Sequence, residues 1–226
     1  MCQKEKLSKN NEVEKIDKTL YRSMVGCLMY LTATKPDILY VVSLLSRFTN
    51  CATNTYFRAA KRVIRYVKGT LNFGIKFNAN QKHVLQGYSD SNWGGSSEDM
   101  KSISGYCFSL GSGVFSWCSK KQEIVAKSMA EAEFIAATAA ANQALWLRKV
   151  LLDLNLKQEK CTEVFVDNQA AIAISNNPVS CKNQAFQYQI ILSQRRAETR
   201  IDWVKVLQDE SSTGRYVYQS LAKEQI

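Results

Sequence analysis

The hydrophobic period of this 226-residue chain changes near Gly74 from the spacing of helices to the spacing of strands. Before Gly74, apolar residues recur every three or four positions in three segments, which we expect to form helices over 19–30, 36–45 and 55–68. After Gly74, alternating and aromatic-rich runs predict strands. The change of period therefore predicts a small helical unit followed by a mixed α/β domain.

The elements expected after Gly74 are strands interrupted by helices, with one long Ala- and Leu-rich helix in the middle. Listed in chain order, they are strands over 84–90, 103–109 and 114–118, a helix over 128–154, a strand over 162–166, a helix over 169–175, a helix around Phe186 to Glu198 and a strand around Ile201 to Val206. We expect the first 18 residues, which are polar and mixed in charge, to be flexible.

The positive charge of the chain is concentrated in one segment. The formal net charge is +10, and the residues between Asp37 and Asp90 contain eight lysines and arginines and no acid. Five of these bases share one face of the 55–68 helix: Arg58, Lys61, Arg62, Arg65 and Lys68. Such a face is either the solvated side of an amphipathic helix or a track for nucleic-acid phosphates, and the acid-free stretch favours the track. Lys120 and Lys121 are a second, weaker candidate for phosphate contact.

The spacing of the cysteines argues against a zinc site, and the apolar pattern argues against secretion and membrane insertion. Seven cysteines are present, the closest two lie eleven residues apart, and His83 is the single histidine, so we expect no zinc site. The N-terminal residues lack the apolar run of a signal peptide, and no run is long enough to span a bilayer. We therefore expect an intracellular protein, in the cytoplasm or the nucleus, that is neither secreted nor bound to a membrane.

Three carboxylates stand where strands end or a helix begins. Asp90 ends a predicted strand, Glu133 lies in the first turns of the long helix, and Asp167 closes the 162–166 strand. Acids drawn in this way from distant parts of a chain suit a centre that binds hard divalent cations for phosphotransfer. The simpler interpretation is that acids near helix starts are only caps, and spacing alone leaves both possibilities open.

Eight runs of this chain resemble the C-terminal part of a copia-type retrotransposon Pol polyprotein. The first two are similar to the end of its reverse transcriptase, and the other six to its RNase H domain. The runs are Tyr21–Ile38, Ala59–Thr70, Gly87–Gly94, Lys101–Tyr106, Trp117–Gln122, Glu131–Phe134, Ala144–Arg148 and Val166–Ile172. Together they cover roughly residues 19–206.

The resemblance implies an RNase H-like mixed sheet with flanking helices, preceded by a small helical reverse-transcriptase connection segment. It divides the chain into a flexible N-terminus over 1–18, a thumb or connection remnant over 19–77, and an RNase H-like domain with a degraded tail over 83–226. The polymerase portion of such a Pol protein is a possible partner.

The resemblance also implies a function. The family's RNase H cleaves the RNA strand of RNA–DNA hybrids with four carboxylates and two Mg²⁺ ions. Carried over by motif, the first three catalytic and metal-binding residues are Asp90, Glu133 and Asp167, and Glu131 is better explained as a helix-start acid. The expected partner is an RNA–DNA hybrid or another nucleic acid.

Three departures from the family's pattern suggest impaired hydrolysis. Gly214 stands where the fourth carboxylate belongs, and Asp209 or Glu210 would replace it only if the tail folded differently. Asn92 replaces a second Asp, and the run Gln184–Gln187 is degraded. The alternatives to an impaired nuclease are a non-catalytic nucleic-acid-binding remnant that uses the 55–68 helix, and a relic without function.

Overall fold

The computed structural model describes residues 16–78, 80–96, 99–175 and 190–194. These residues form two compact units, the first ending at Lys76 and the second beginning at Phe77. Each unit has its own hydrophobic core.

The first unit is helical, as the periodicity predicts. It contains α1 (Lys18–Leu31), a 3₁₀ turn (Pro36–Ile38), α2 (Leu39–Ser46) and α3 (Asn54–Gly69). Asp17 caps α1, because its side chain accepts a hydrogen bond from the Thr19 amide. The three helices bury one apolar core, which consists of Tyr21, Val25, Leu28, Ile38, Val42, Leu45, Phe48, Ala52, Tyr56, Ala60 and Val63.

The Lys35-Pro36-Asp37 run ties the turn before α2 to the end of α3. The Lys35 ammonium donates to the Thr70 carbonyl at 3.0 Å, and so binds a carbonyl that the end of α3 leaves without a helical partner. The Tyr66 hydroxyl donates to Asp37 Oδ2 at 2.8 Å. Pro36 occupies the first position of the 3₁₀ turn, where its missing amide costs nothing. These motif residues therefore have structural roles.

The described residues of the second unit form a five-stranded mixed sheet in the order β3-β2-β1-β4-β5. β1 pairs antiparallel with β2, and β2 with β3, whereas β4 runs parallel to both β1 and β5. Its elements in chain order are β1 (Leu85–Asn92), β2 (Ile103–Leu110), β3 (Gly113–Lys121), α4 (Met129–Asp153), β4 (Thr162–Val166), α5 (Gln169–Ser175) and β5 (Ile190–Gln194). This confirms the expected mixed sheet with flanking helices.

Helix α4 packs closely on the sheet through small side chains. Four fully or almost fully buried alanines, Ala137, Ala140, Ala141 and Ala144, let its backbone approach the strands. The side chains of Leu85, Phe108 and Val164 from β1, β2 and β4 fill the core beneath it.

Among the residues that the structure describes, neither α4 nor any other helix combines the length and apolar character needed to cross a membrane.

The connection from α4 to β4 is fixed by two polar side chains. The Arg148 guanidinium donates to the Gln158 carbonyl at 2.8 Å and to Thr162 Oγ1 at 3.0 Å. The Gln158 side chain in turn accepts from the Leu85 amide and donates to the His83 carbonyl, both at 2.9 Å. This network joins the start of β1 to the start of β4 at the end of the sheet where both strands begin.

The prediction of a helix around Phe186 to Glu198 is wrong for the central residues of that segment. Residues 190–194 form β5, which pairs with β4 from Thr162↔Ile190 to Val166↔Gln194. The β-branched pair Ile190-Ile191 favours a strand, and the exposed edge of β4 provides the backbone partners. The strand expected around Ile201 to Val206 lies outside the described residues, as do residues 1–15.

Gly87 is required by the close approach of Phe108. The two residues pair directly across β1 and β2, and a Cβ at Gly87 would lie 2.5 Å from the Phe108 ring. The ring is fully buried in the core beneath α4, so a shift of the ring would disturb its packing there. Gly87→Ala is therefore expected to lower the free energy of unfolding by about 1–3 kcal/mol, as measured by urea denaturation.

Gly105→Ala is the matched control, because a Cβ at that β2 position would meet its nearest neighbours, the Cys118 and Asp90 carbonyl oxygens, at ordinary contact distances of 3.8 and 4.0 Å. It is expected to change stability by less than about 0.5 kcal/mol. Equal losses in the two variants would contradict the steric explanation.

Candidate metal centre

Asp90 lies near the end of β1, the central strand of the sheet. The preceding residues of β1 alternate, with Leu85, Gly87 and Ser89 buried, and Asp90 occupies an exposed position of this alternation. Pairing with Gly105 of β2 fixes the Asp90 backbone, and β4 pairs with the preceding residues of β1, Gln86 to Tyr88. The carboxylate is thus accessible while its place is well defined.

Glu133 lies in the second turn of α4, and the start of that helix explains why it differs from Glu131. Ser128 caps the helix by accepting from the Glu131 amide at 3.2 Å, and Glu131 Oε2 accepts from the Lys127 amide at 2.7 Å. Glu131 therefore closes the helix start, as the sequence suggests. Glu133 is 3% exposed and faces the sheet.

Asp167 follows β4 directly and does not serve as the cap of α5. Asn168 fills that role, because its Oδ1 accepts from the amides of Ala170 and Ala171 at 2.9 and 3.2 Å. The interpretation of Asp167 as only a helix cap is therefore wrong. Its exposed carboxylate is available for another role at the end of β4.

The structure brings these three carboxylates together. Oxygen atoms of Asp90, Glu133 and Asp167 all lie within 4.8 Å of one another. Glu133 Oε1 accepts two hydrogen bonds from Ser91, from the amide at 3.0 Å and from Oγ at 2.9 Å. Glu133 Oε2 is buried and has no hydrogen-bond partner among the described residues.

This donor set fits a hard divalent cation. Mg²⁺ prefers carboxylate oxygens, and a buried carboxylate oxygen without a donor is costly unless a cation binds it. The exposed pair, Asp90 and Asp167, leaves the cluster open on one side to water and to a ligand. Asp90, Glu133 and Asp167 are therefore the residues that would hold the ion.

The electrostatics of the cluster also favour binding of a divalent cation. Burial raises the pKa of Glu133 to about 7, two hydrogen bonds from Ser91 oppose the rise, and the charges of Asp90 and Asp167 add to it. A raised pKa means that the surroundings disfavour the anionic carboxylate, and a bound divalent cation would stabilise that anion and displace the proton. The cluster is thus strained by like charge in a way that a divalent cation would relieve.

The basic residues of α3 belong to the other unit. All five side chains, those of Arg58, Lys61, Arg62, Arg65 and Lys68, are exposed on one face of the helix. None of them forms an ion pair with a carboxylate of the described residues. The Lys61 ammonium lies 4.3 Å from the centre of the Phe57 ring. The opposite face buries Tyr56, Ala60 and Val63.

Lys120 and Lys121 each have an acidic partner. Lys120 Nζ lies 3.1 Å from Glu123 Oε1 in an exposed pair, and Lys121 pairs with Asp99. Their positive charges are therefore partly neutralised within the protein. Phosphate contact by these two lysines stays a prediction.

Two residues beside the cluster were not singled out from the sequence. Ser91 follows Asp90, and the alternation of β1 would have placed it on the side of α4. Gln122 follows β3 directly, and its buried amide bonds to Ala132 beside Glu133. Its position after a Lys-Lys pair gave no signal of burial.

The segment around Gly214, where the resemblance places the fourth carboxylate, lies outside the described residues.

No protein-family model matches the chain. Among solved structures, LC11-RNase H1 in complex with an RNA/DNA hybrid has a TM-score of 0.33 and 10% identity to it, over 50% of this chain and 86% of that one. Curated proteins are more similar. The secreted RxLR effector protein 161 of Plasmopara viticola is 43% identical over 128 residues, which cover 56% of this chain and 90% of that protein.

Two further relatives cover most of this chain. The retrovirus-related Pol polyprotein from transposon RE1 of Arabidopsis thaliana is 36% identical over 197 residues, and the one from transposon TNT 1-94 of Nicotiana tabacum is 34% identical over 196. Each match covers 86% of this chain, which spans only 13% and 14% of the two polyproteins. On these similarities, the chain corresponds to a fragment of copia-type retrotransposon Pol polyproteins, as its motifs predict.

Proposed function

We propose that the second unit is a metal-dependent nuclease domain that hydrolyses the RNA strand of RNA–DNA hybrids at a reduced rate. The observation that carries the proposal is the cluster of Asp90, Glu133 and Asp167, in which a buried Glu133 oxygen has no hydrogen-bond partner within the described part of the chain. These are the positions to which the family resemblance assigns the first three carboxylates of an RNase H.

The three carboxylates have different roles in this proposal because one is buried and two are exposed. Ser91 fixes Glu133 by two hydrogen bonds, so that this buried carboxylate forms the immobile wall of the site. Asp90 and Asp167 are exposed and border the open side, where a backbone phosphate and a water molecule can approach. Bound Mg²⁺ would supply a Lewis acid there, lowering the pKa of a water molecule and stabilising the leaving oxygen.

The missing fourth acid supports a reduced rate. Gly214 stands where the resemblance places that carboxylate, so this position offers neither an oxygen ligand nor a negative charge. Losses of residues that only orient metal ligands cost about 10- to 100-fold in affinity or activity. The loss of a direct ligand should cost at least as much.

A second candidate function is binding of nucleic acid without catalysis, through α3. The observation that favours it is the row of five exposed cations with no carboxylate partner among the described residues. Each cation that meets a phosphate releases counterions, so such a surface binds without regard to sequence and weakens with salt. This function does not require the carboxylate cluster.

The nuclease proposal predicts slow, Mg²⁺-dependent cleavage of a labelled RNA–DNA hybrid. Asp167→Asn should reduce the rate at least about 100-fold, because it removes a charge and a ligand oxygen from the cluster. Gly214→Asp should raise the rate at least about 10-fold if it restores the fourth acid.

Asp153→Asn, at the exposed end of α4, is the charge-matched control and should leave the cleavage rate unchanged. Cleavage that survives in Asp167→Asn, or that proceeds without a divalent cation, would show that these carboxylates are not the site.

The raised pKa of Glu133 predicts a pH dependence of stability in the metal-free protein. The folded protein holds this proton up to a pH of about 7, whereas the ordinary value is 4.5. The stability that the group contributes is therefore fully present below pH 4.5 and is lost as the pH rises through 7. Glu133→Gln, which keeps an oxygen for Ser91, should be more stable than the wild type at pH 8 by on the order of 2 kcal/mol and nearly equal at pH 4.5.

Urea denaturation of both proteins in EDTA at the two pH values measures this difference. Saturating Mg²⁺ should remove the advantage of Glu133→Gln at pH 8 by stabilising the wild type alone. An advantage that is independent of pH would mean that Glu133 is not the group that titrates.

The binding proposal predicts a salt dependence that resides in α3. Replacing Arg62, Arg65 and Lys68 by Gln should lower the slope of log K against log salt for duplex binding by about 2–3, close to 0.9 for each lost phosphate contact. Replacing Lys149, Lys157 and Lys160 by Gln removes the same charge from the second unit. An equal change of slope in that control, measured by fluorescence anisotropy, would show that only net charge matters.

A further inference from the structure

We propose that Gln122 is a positioning residue that fixes the turn of α4 bearing Glu133 against the sheet and thereby sets the metal affinity of the cluster. The claim that Gln122 sets the metal affinity rests on the proposed function. The claim that Gln122 fixes the position of Glu133 concerns the metal-free protein and does not.

Gln122 bridges the sheet and the helix with one amide group. Its Nε2 donates to Ser104 Oγ at 2.8 Å and to the Ala132 carbonyl at 2.9 Å. Its backbone amide donates to the Ser102 carbonyl at 2.8 Å, which ties the residue to the start of β2. The side chain is therefore held at both ends, between β2 and the first turn of α4.

The orientation of this amide is determined by its partners. The Ala132 carbonyl can only accept a hydrogen bond, so the NH₂ group and not the oxygen must face it. Oε1 is then left in the interior, where it has no partner among the described residues, and Gln122 is 6% exposed. A buried polar atom without a partner is destabilising, and an apolar side chain of similar size would avoid that cost. A glutamine here is thus better explained by its two donated bonds than by packing.

Both acceptors of the Gln122 side-chain amide belong to residues that help to position Glu133. Ala132 precedes Glu133 in α4, so a bond to the Ala132 carbonyl fixes the backbone that carries the carboxylate. Ser104 pairs with Ser91 across β1 and β2, and Ser91 makes the two hydrogen bonds to Glu133. Gln122 therefore sets the helix against the strand from which Glu133 receives its hydrogen bonds. A movement of the helix by a fraction of an ångström would lengthen these bonds.

The test compares Gln122→Met with Gln158→Met. Each change removes a side-chain amide that joins distant segments, but Gln158 lies at the end of the sheet where β1 and β4 begin, and it contacts no member of the cluster. Ser104→Ala, which removes one acceptor, is a milder second variant that decides the question if Gln122→Met does not fold. Circular dichroism establishes that each variant is folded.

Two readouts are measured. The first is hydrogen exchange of the Ser91 amide by NMR in EDTA, because this amide donates to Glu133 itself. The second is the dissociation constant for Mg²⁺ by titration calorimetry. Gln122→Met should speed the Ser91 exchange and weaken Mg²⁺ binding by about 10-fold or more each, with smaller changes of the same direction in Ser104→Ala. Gln158→Met should lower the melting temperature but leave both readouts within about twofold.

The outcomes separate this inference from the proposed function. A Ser91 exchange rate that Gln122→Met leaves within twofold, or that Gln158→Met increases equally, would overturn the positioning role. Weakened exchange protection with unchanged Mg²⁺ affinity would overturn its link to the metal. A wild-type protein that binds no Mg²⁺ would refute the proposed function, and the Ser91 exchange would still decide whether Gln122 positions Glu133.

Discussion

Mutual repulsion of three carboxylates within 4.8 Å is the constraint that the second unit must satisfy. Like charges at such distances move apart or take up protons unless rigid elements hold them. Here each acid is carried by a different element, Asp90 by β1, Glu133 by α4 and Asp167 by the end of β4. Burial raises the pKa of Glu133, and the charges of Asp90 and Asp167 add to the rise, so this shift reflects both desolvation and repulsion in the metal-free protein. An arrangement that is destabilising by itself and relieved by a cation is typical of functional centres.

The rest of the unit explains how the cluster is kept in place. The parallel pairing of β1 and β4 puts the ends of both strands at one edge of the sheet, so Asp90 and Asp167 are brought together by topology. The buried alanines of α4 let the helix lie close enough for Glu133 to reach Ser91. Hydrogen bonds then fix the helix in depth and rotation, since apolar packing alone has little directional preference.

Most of this architecture could be predicted from the sequence. The predictions that were wrong or missing have physical causes. Amphipathic periods located α1, α3 and β1 because each of these elements buries one face. Strand β5 was taken for part of a helix, since its short apolar run fits either period and only the free edge of β4 decides between them. The three acids of the cluster stood out by their positions at predicted strand ends and at a helix start. Spacing alone could not distinguish Asp167 from a helix cap, and the family motifs assigned the three acids to one site. Gln122 escaped detection because its burial results from its tertiary position between β2 and α4 and not from any local pattern.

The central claim is that Asp90, Glu133 and Asp167 form one divalent-cation site. The most direct measurement is an anomalous difference map from crystals of the protein soaked in Mn²⁺, which replaces Mg²⁺ at oxygen sites. The account predicts an anomalous peak bonded at about 2.1 Å to oxygens of at least two of these residues, with occupancy that follows the Mn²⁺ concentration. Crystals without a peak at the cluster at saturating Mn²⁺, or with the metal bound elsewhere on the domain, would contradict it.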